Sequence, residues 1–270
     1  MQFIINTQRN QSSYAYRIIA GPPRDLSVHD TPAPSLGHSA CLIALRQEIW
    51  SACLRQHPCR LPIYPYEEAI VFDDTTSDFI WANRILVWCA SLLNFCFRDE
   101  PMTHEERVQR WTKFKWFENR WQTHKPHAFR PIYHEEPNPG SGIFFPRIWH
   151  INYCQVMAEQ HFELARILIA TSNPSISRIG LGASSTNALL EAELLSITRR
   201  LVGLGVSNTQ MQPALVTSAV GISMCGEYFT DPMEQKALVD ALVTLEMKHA
   251  WPTDATIAAL KRAWGLRVHA

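Results

Sequence analysis

The 270-residue chain reads as an all-α protein. The pattern calls for a bundle or array of about seven or eight helices behind an irregular N-terminal lead-in. Three observations predict this. Apolar residues recur at helical spacing over most of the chain, residues that cap helices stand ahead of those stretches, and alternating strand patterns flanked by turn dipeptides are nearly absent.

The elements follow in order. Residues 1–38 are polar and carry Pro22, Pro23, Pro32 and Pro34 without sustained periodicity, which predicts the lead-in. Leu42, Leu45, Ile49 and Cys53, widened by Trp50 and Leu54, form the stripe of a helix over 39–57. Three prolines then force a loop from Pro58 to Tyr66. Ser77 or Asp78 is placed to cap a helix over 79–97, apolar nearly all round and so expected at the centre of the array.

Thr103 with Glu106 reads as a capping box, opening a helix to Gln122. Prolines 126, 131, 137, 139 and 146 predict a long loop over 125–146, with Pro146 in the first turn of a helix to Ala170. A second loop follows over 171–182, then helices over 184–205 and 212–226. Asp231-Pro-Met-Glu234 is a start signal for a helix to Lys248. Thr253 is the expected cap of a last helix ending at Trp264-Gly265, where Gly suits a left-handed terminus. Residues 39–270 are read as one helical domain.

Composition narrows the function classes. Lys plus Arg and Asp plus Glu each number 25, a formal charge of zero, which is a poor match for a phosphate backbone. Hydrophobic residues make up 46% and charged residues 19%, which excludes a fully disordered chain. The seven Cys, at 41, 53, 59, 89, 96, 154 and 225, include no CxxC pair and lie mostly in apolar stretches, so they read as reduced thiols of an intracellular protein. The N-terminus shows neither the charged nor the long apolar region of a signal peptide. The uninterrupted apolar part after Arg84 is about 13 residues, short of the ~20 a membrane span needs.

The motifs that could carry chemistry are each weaker than their bland reading. His124 and His127, beside His134-Glu135-Glu136, could ligate a metal but sit in a proline-rich loop. His104-Glu105-Glu106 and His161-Phe-Glu163 are pieces of a zinc-binding HExxH without its second His. Gly221-Ile-Ser223-Met-Cys225 misses the nucleophile-elbow spacing and reads as small residues that let helices approach. Cys53 and His57 share a helix face, so a thiolate–imidazole pair is geometrically allowed. Gly180-Leu-Gly182 lacks the third glycine of a phosphate cradle. The helix over 103–122 interleaves basic residues with Trp111, Phe114, Trp116, Phe117 and Trp121. That pattern occurs in single-strand nucleic-acid binders, but here it reads as an amphipathic packing helix. No residue is singled out as catalytic, cofactor-binding or metal-ligating, no cofactor is expected, and the chain is not expected to be an enzyme.

A set of phrases in fixed order adds a further expectation: Ala44-Leu-Arg-Gln-Glu-Ile49, Asp78-Phe-Ile-Trp-Ala-Asn-Arg84, Leu93-Asn-Phe-Cys-Phe97, Phe129-Arg-Pro-Ile-Tyr133, Ile148-Trp149, His161-Phe-Glu-Leu-Ala-Arg-Ile-Leu168, Asp231-Pro-Met-Glu-Gln235 and His249-Ala-Trp-Pro-Thr253. Together, from about residue 37 to 265, these resemble the C-terminal half of the fungal-specific regulatory domain of fungal binuclear zinc-cluster transcription factors. The resemblance implies an all-helical regulatory region, nuclear localisation, and pathway-specific control of a metabolic or secondary-metabolite gene cluster. The six-cysteine array that holds two zinc ions and reads DNA in that family has no counterpart here, so direct DNA binding by this chain alone is not expected. The partners expected are a protein or a second copy, docked through apolar helix faces, with a small-molecule effector as a further input. Earlier helices of the family domain have no counterpart either, so helices 39–57 and 79–97 are expected to need cover from the lead-in, a second copy or a partner. Two rival readings are an all-helical small-molecule sensor or enzyme, and a truncated gene product without function.

Overall fold

The computed structural model describes residues 36–61, 63, 76–98, 100–176, 180 and 182–266. The expected lead-in lies outside these residues, except that the first helix already begins at Leu36. Eight α-helices are present among the described residues: α1 (Leu36–Arg55), α2 (Asp78–Cys96), α3 (His104–His124), α4 (Tyr153–Thr171), α5 (Ala183–Val206), α6 (Gln212–Cys225), α7 (Pro232–His249) and α8 (Asp254–Ala263). The all-α reading is thus correct.

Local chemistry sets most helix ends. The Ser77 hydroxyl accepts from the Ile80 amide at the start of α2. Thr103 and Glu106 close a reciprocal capping box on α3. Asp231 accepts from the amides of Met233 and Glu234 at the start of α7. Glu234 does not reach back to the cap, however; its carboxylate grips Arg199 of α5 through two bonds of 2.6 and 2.9 Å. Thr253 makes no side-chain cap either, since its hydroxyl donates to Glu246 at 2.7 Å. Gly265 takes the expected left-handed conformation, φ 71°, just past α8.

The region between α3 and α4 corrects the sequence reading. Pro146 does not open a helix. Tyr133–Glu135 (β1) and Arg147–Trp149 (β2) pair antiparallel, with Tyr133 opposite Trp149, and α4 starts at Tyr153. The cause is Asn152, whose side chain accepts from the Gln155 amide while the Gln155 side chain reaches back, a second capping box. Strands of three residues leave little alternation to read. They are held from outside: the Ile148 amide donates to Ser207 Oγ at 3.0 Å, and Asn208 donates to the Ile148 carbonyl at 3.4 Å. Gly203 of α5 makes room for this approach, because a Cβ there would run into the Pro146 carbonyl oxygen.

The core centres on α2, which packs most extensively on α4 and also on α1. Of its 19 residues 13 are buried, so the one described helix long and apolar enough to cross a membrane is mostly enclosed by its neighbours. The apolar face of α2 therefore has its cover within the chain. Aromatic rings tie in α3. Trp88 of α2 meets Phe117 at 4.6 Å and stacks on Phe162 of α4 at 5.5 Å. Trp121 meets Trp81 at 5.3 Å. Phe114, Phe117 and Trp121 are buried, which makes α3 the packing helix its pattern predicted. Gly221 of α6, where a Cβ would strike the Leu201 side chain, likewise permits the close contact of α5 with α6.

Beside this apolar interior runs a ladder of alternating charge, its glutamates buried and its cations partly exposed. Lys115 pairs with Glu118 (2.7 Å) and Glu118 with Arg166 (3.0 Å). Arg166 pairs with Glu163 (2.8 Å) and Glu163 with Arg200 (2.8 Å). Arg200 pairs with Glu159 (2.9 Å) and Glu159 with Lys125 (2.8 Å). Every carboxylate oxygen of the three buried glutamates takes one charged donor. The ladder joins α3, the residue after it, α4 and α5. Removing one member of such a buried network costs about 3–5 kcal/mol, because the remaining charges stay desolvated. Glu163→Gln is accordingly expected to lower unfolding free energy by about 3 kcal/mol in chemical denaturation, with helix content by circular dichroism retained in the absence of denaturant.

Candidate functional site

The described residues frame a groove of about 870 Å³ where four helices end at one level. Cys53 and Leu54 come from the end of α1, Cys96 and Phe97 from the end of α2, Thr171 and Ser172 from the end of α4. Met224 and Cys225 end α6, and Glu227 and Tyr228 follow in a short 3₁₀ turn. Arg107 enters from the first turn of α3. The far wall is α8, which presents Ala255, Ala259 and Ala263. These are one helical face at i, i+4, i+8, and their small side chains keep the wall open. The size is that of a small-molecule site.

Three thiols line the groove, and burial decides their state. Desolvation pushes the Cys53 thiol up to about 12, helped by Cys96. It pushes Cys225 up to about 12 and Cys96 up to about 11. All three are neutral at physiological pH, whereas a nucleophile needs the thiolate. The Cys53–His57 pair does not assemble as an activated thiol: His57 turns its Nδ1 to the Pro58 carbonyl at 2.8 Å.

The remaining sequence candidates fall apart in space or into the framework. Among the described residues, no group of three or more His, Cys, Asp or Glu side chains gathers in a way that could hold a metal ion. Among the described residues the His134 ring pairs with Glu136 alone, at 3.5 Å. Glu163 of the HExxH fragment is a rung of the charge ladder, and His161 is fully buried with its Nδ1 at 2.8 Å from the Met157 carbonyl. Ser223 donates to the Ala219 carbonyl at 2.8 Å. Gly180 and Gly182 adopt positive φ in the turn before α5.

The ladder itself was not anticipated. Its signal was present: Glu159, Glu163 and Arg166 at helical spacing inside a helix otherwise read as interior, which only mutual pairing can sustain. Burial pushes the Glu159 carboxyl up, but the cations of Lys125 and Arg200 outweigh it and hold the group below its ordinary 4.5. Beside it, His150 is driven down to about 4, chiefly by burial, and neither ring nitrogen has a hydrogen-bond partner among the described residues. Burial also drives His161 down to about 4. Comparison with protein-family models, with curated proteins and with solved structures returns no match to the chain.

These shifts set a pH dependence. Both histidines are neutral when folded and would titrate near 6.5 once unfolded. Their contribution is complete above pH 6.5 and is lost as pH falls towards about 4, at about 3 kcal/mol for each. Glu159 adds a loss in the same direction below its ordinary value. Thermal melts are expected to show stability falling through this window, with His161→Leu flattening the fall by one proton's worth. An unchanged slope in that variant would contradict the burial assignment.

Proposed function

We propose that the chain is a regulatory region of a nuclear transcription regulator, acting by binding a small molecule and by association rather than by catalysis. The observation that carries this reading is the ligand-sized groove whose potentially reactive side chains are held as neutral thiols. A site so equipped binds without attacking what it binds. The all-helical array fits what the sequence resemblance implied, and the resemblance supports pathway-specific control of a metabolic or secondary-metabolite gene cluster. With a formal charge of zero and no six-cysteine array among its seven Cys, contact with DNA is assigned to a partner.

Deleting the gene in its native host should change transcript levels of a confined set of metabolic genes. In thermal-shift screening the purified chain should be stabilised by specific apolar metabolites without consuming them. Unchanged transcripts throughout, or turnover of a stabilising compound, would overturn the reading.

A second observation favours association. Ile132, Tyr133, Trp149, Ile151 and Tyr153 cluster on the hairpin and the start of α4, and all are exposed, Ile151 at 72% and Ile132 at 62%. Tyr133 and Trp149 lie against each other at 4.9 Å. Solvated apolar clusters of this kind mark contact surfaces. Light scattering is expected to show a species larger than the 30.9 kDa monomer, and Trp149→Ser with Ile151→Ser should return it to monomer. A wild-type chain that is monomeric at every concentration, alone and with nuclear extract, would contradict it.

A further inference from the structure

The groove has a hydrogen-bonding polarity of its own, and it specifies the class of ligand beyond the binding role proposed above, on which this inference rests. Three hydroxyls along its lip, those of Thr171, Ser172 and Ser223, spend their protons on helix carbonyls, while the Tyr228 and Thr256 hydroxyls that also line it can donate or accept. Thr171 donates to the carbonyls of Ile167 and Leu168 at 2.9 and 3.2 Å. Ser172 donates to Ile169 at 3.4 Å and Ser223 to Ala219 at 2.8 Å. A hydroxyl has one proton and two lone pairs, so what these three groups offer the groove is acceptors.

The backbone adds the same sign. The C-terminal ends of α1, α2, α4 and α6 meet here, each equivalent to roughly half a negative charge. Among the described residues the Glu227 carboxylate at the rim has no cation within ion-pair distance. Against these stands one cation, Arg107, which lies over the Phe95 ring at 5.7 Å and has no carboxylate partner among the described residues. The N-terminal first turns of α3 and α8 also reach the groove, through Arg107 and Thr256, and each adds roughly half a positive charge. Four negative half-charges and one carboxylate still outweigh two positive half-charges and one guanidinium. Apolar walls from Ile167, Leu168, Leu194 and Leu260 supply the rest of the surface.

We infer that the groove takes an apolar molecule carrying a protonated amine, its body between α8 and the ends of α4 and α6 and its ammonium directed to Glu227 and the Thr171 and Ser223 hydroxyl oxygens. The apolar body supplies affinity, and the acceptor rim selects the head group.

The test uses the full chain and one body with three heads: 4-(1-naphthyl)butylamine, the matching alcohol and the matching carboxylic acid, titrated by calorimetry. The amine is expected to bind about tenfold more tightly than the alcohol, in keeping with several helix ends acting together. Glu227→Gln should weaken the amine about three- to fivefold and leave the alcohol unmoved, the range for an exposed ion pair. Arg107→Leu should tighten the amine. Ala259→Trp, at an exposed position on the α8 wall, should block all three. Equal binding of amine and alcohol would overturn the amine assignment while leaving a binding groove in place. Tightest binding by the acid would overturn it in favour of Arg107 as the head-group anchor. Failure of all three heads to bind would overturn both the amine assignment and the binding role.

Discussion

Three glutamates have been taken out of water in the middle of this molecule, and the rest of its architecture answers to that fact. Glu118, Glu159 and Glu163 are each at most 2% exposed, and a carboxylate so placed is tolerable only when both its oxygens are met by charged donors. The donors come from α3, from Lys125 just beyond it, from α4 and from α5, so the requirement cannot be satisfied unless those elements lie side by side in one register. Hydrophobic packing would accept many slightly different arrangements of Trp88, Phe117 and Phe162. The ladder accepts few, because a shift of one helical turn leaves several charges without partners.

That constraint reaches the groove through α4. Glu159, Glu163 and Arg166 fix the middle of the helix on the ladder, and the next residues, Ile167, Leu168, Thr171 and Ser172, form the groove wall. The helix that is most firmly placed thus sets the geometry of the cleft at its end. By contrast α8 touches the body mainly at the 3₁₀ turn Gly226–Tyr228, where Leu260 packs so closely that a Cβ on Gly226 would meet it at 2.7 Å. One wall of the groove is rigid and the other is lightly held, an arrangement suited to admitting a ligand and responding to it.

Much of the architecture was legible because it is encoded locally. Ser77, Thr103 and Asp231 announce the helices they cap, and the all-round apolar run from Asp78 to Cys96 announces a central helix. What escaped is non-local. The hairpin of Tyr133–Glu135 with Arg147–Trp149 is too short to show a period, and it persists because Ser207 and Asn208, just past the end of α5, hold it. Pro146 misled because it satisfies the first-turn preference of a helix that in fact waits for Asn152. The cleft was invisible for a similar reason: no single stretch of sequence says that four helix ends will arrive at the same place. The charged residues inside α4 were the one clue in plain view, since two glutamates and an arginine on an interior helix demand partners from elsewhere.

Native-state hydrogen exchange resolved by residue tests the central claim most directly. If the ladder is the organising constraint, amides of α4 from Glu159 to Arg166, with those of α5 around Arg200, should exchange only through global unfolding and be the slowest in the protein, while α8 opens at much lower free energy. Exchange of the α4 amides as fast as those of α8 would show that the buried charges do not hold the fold together.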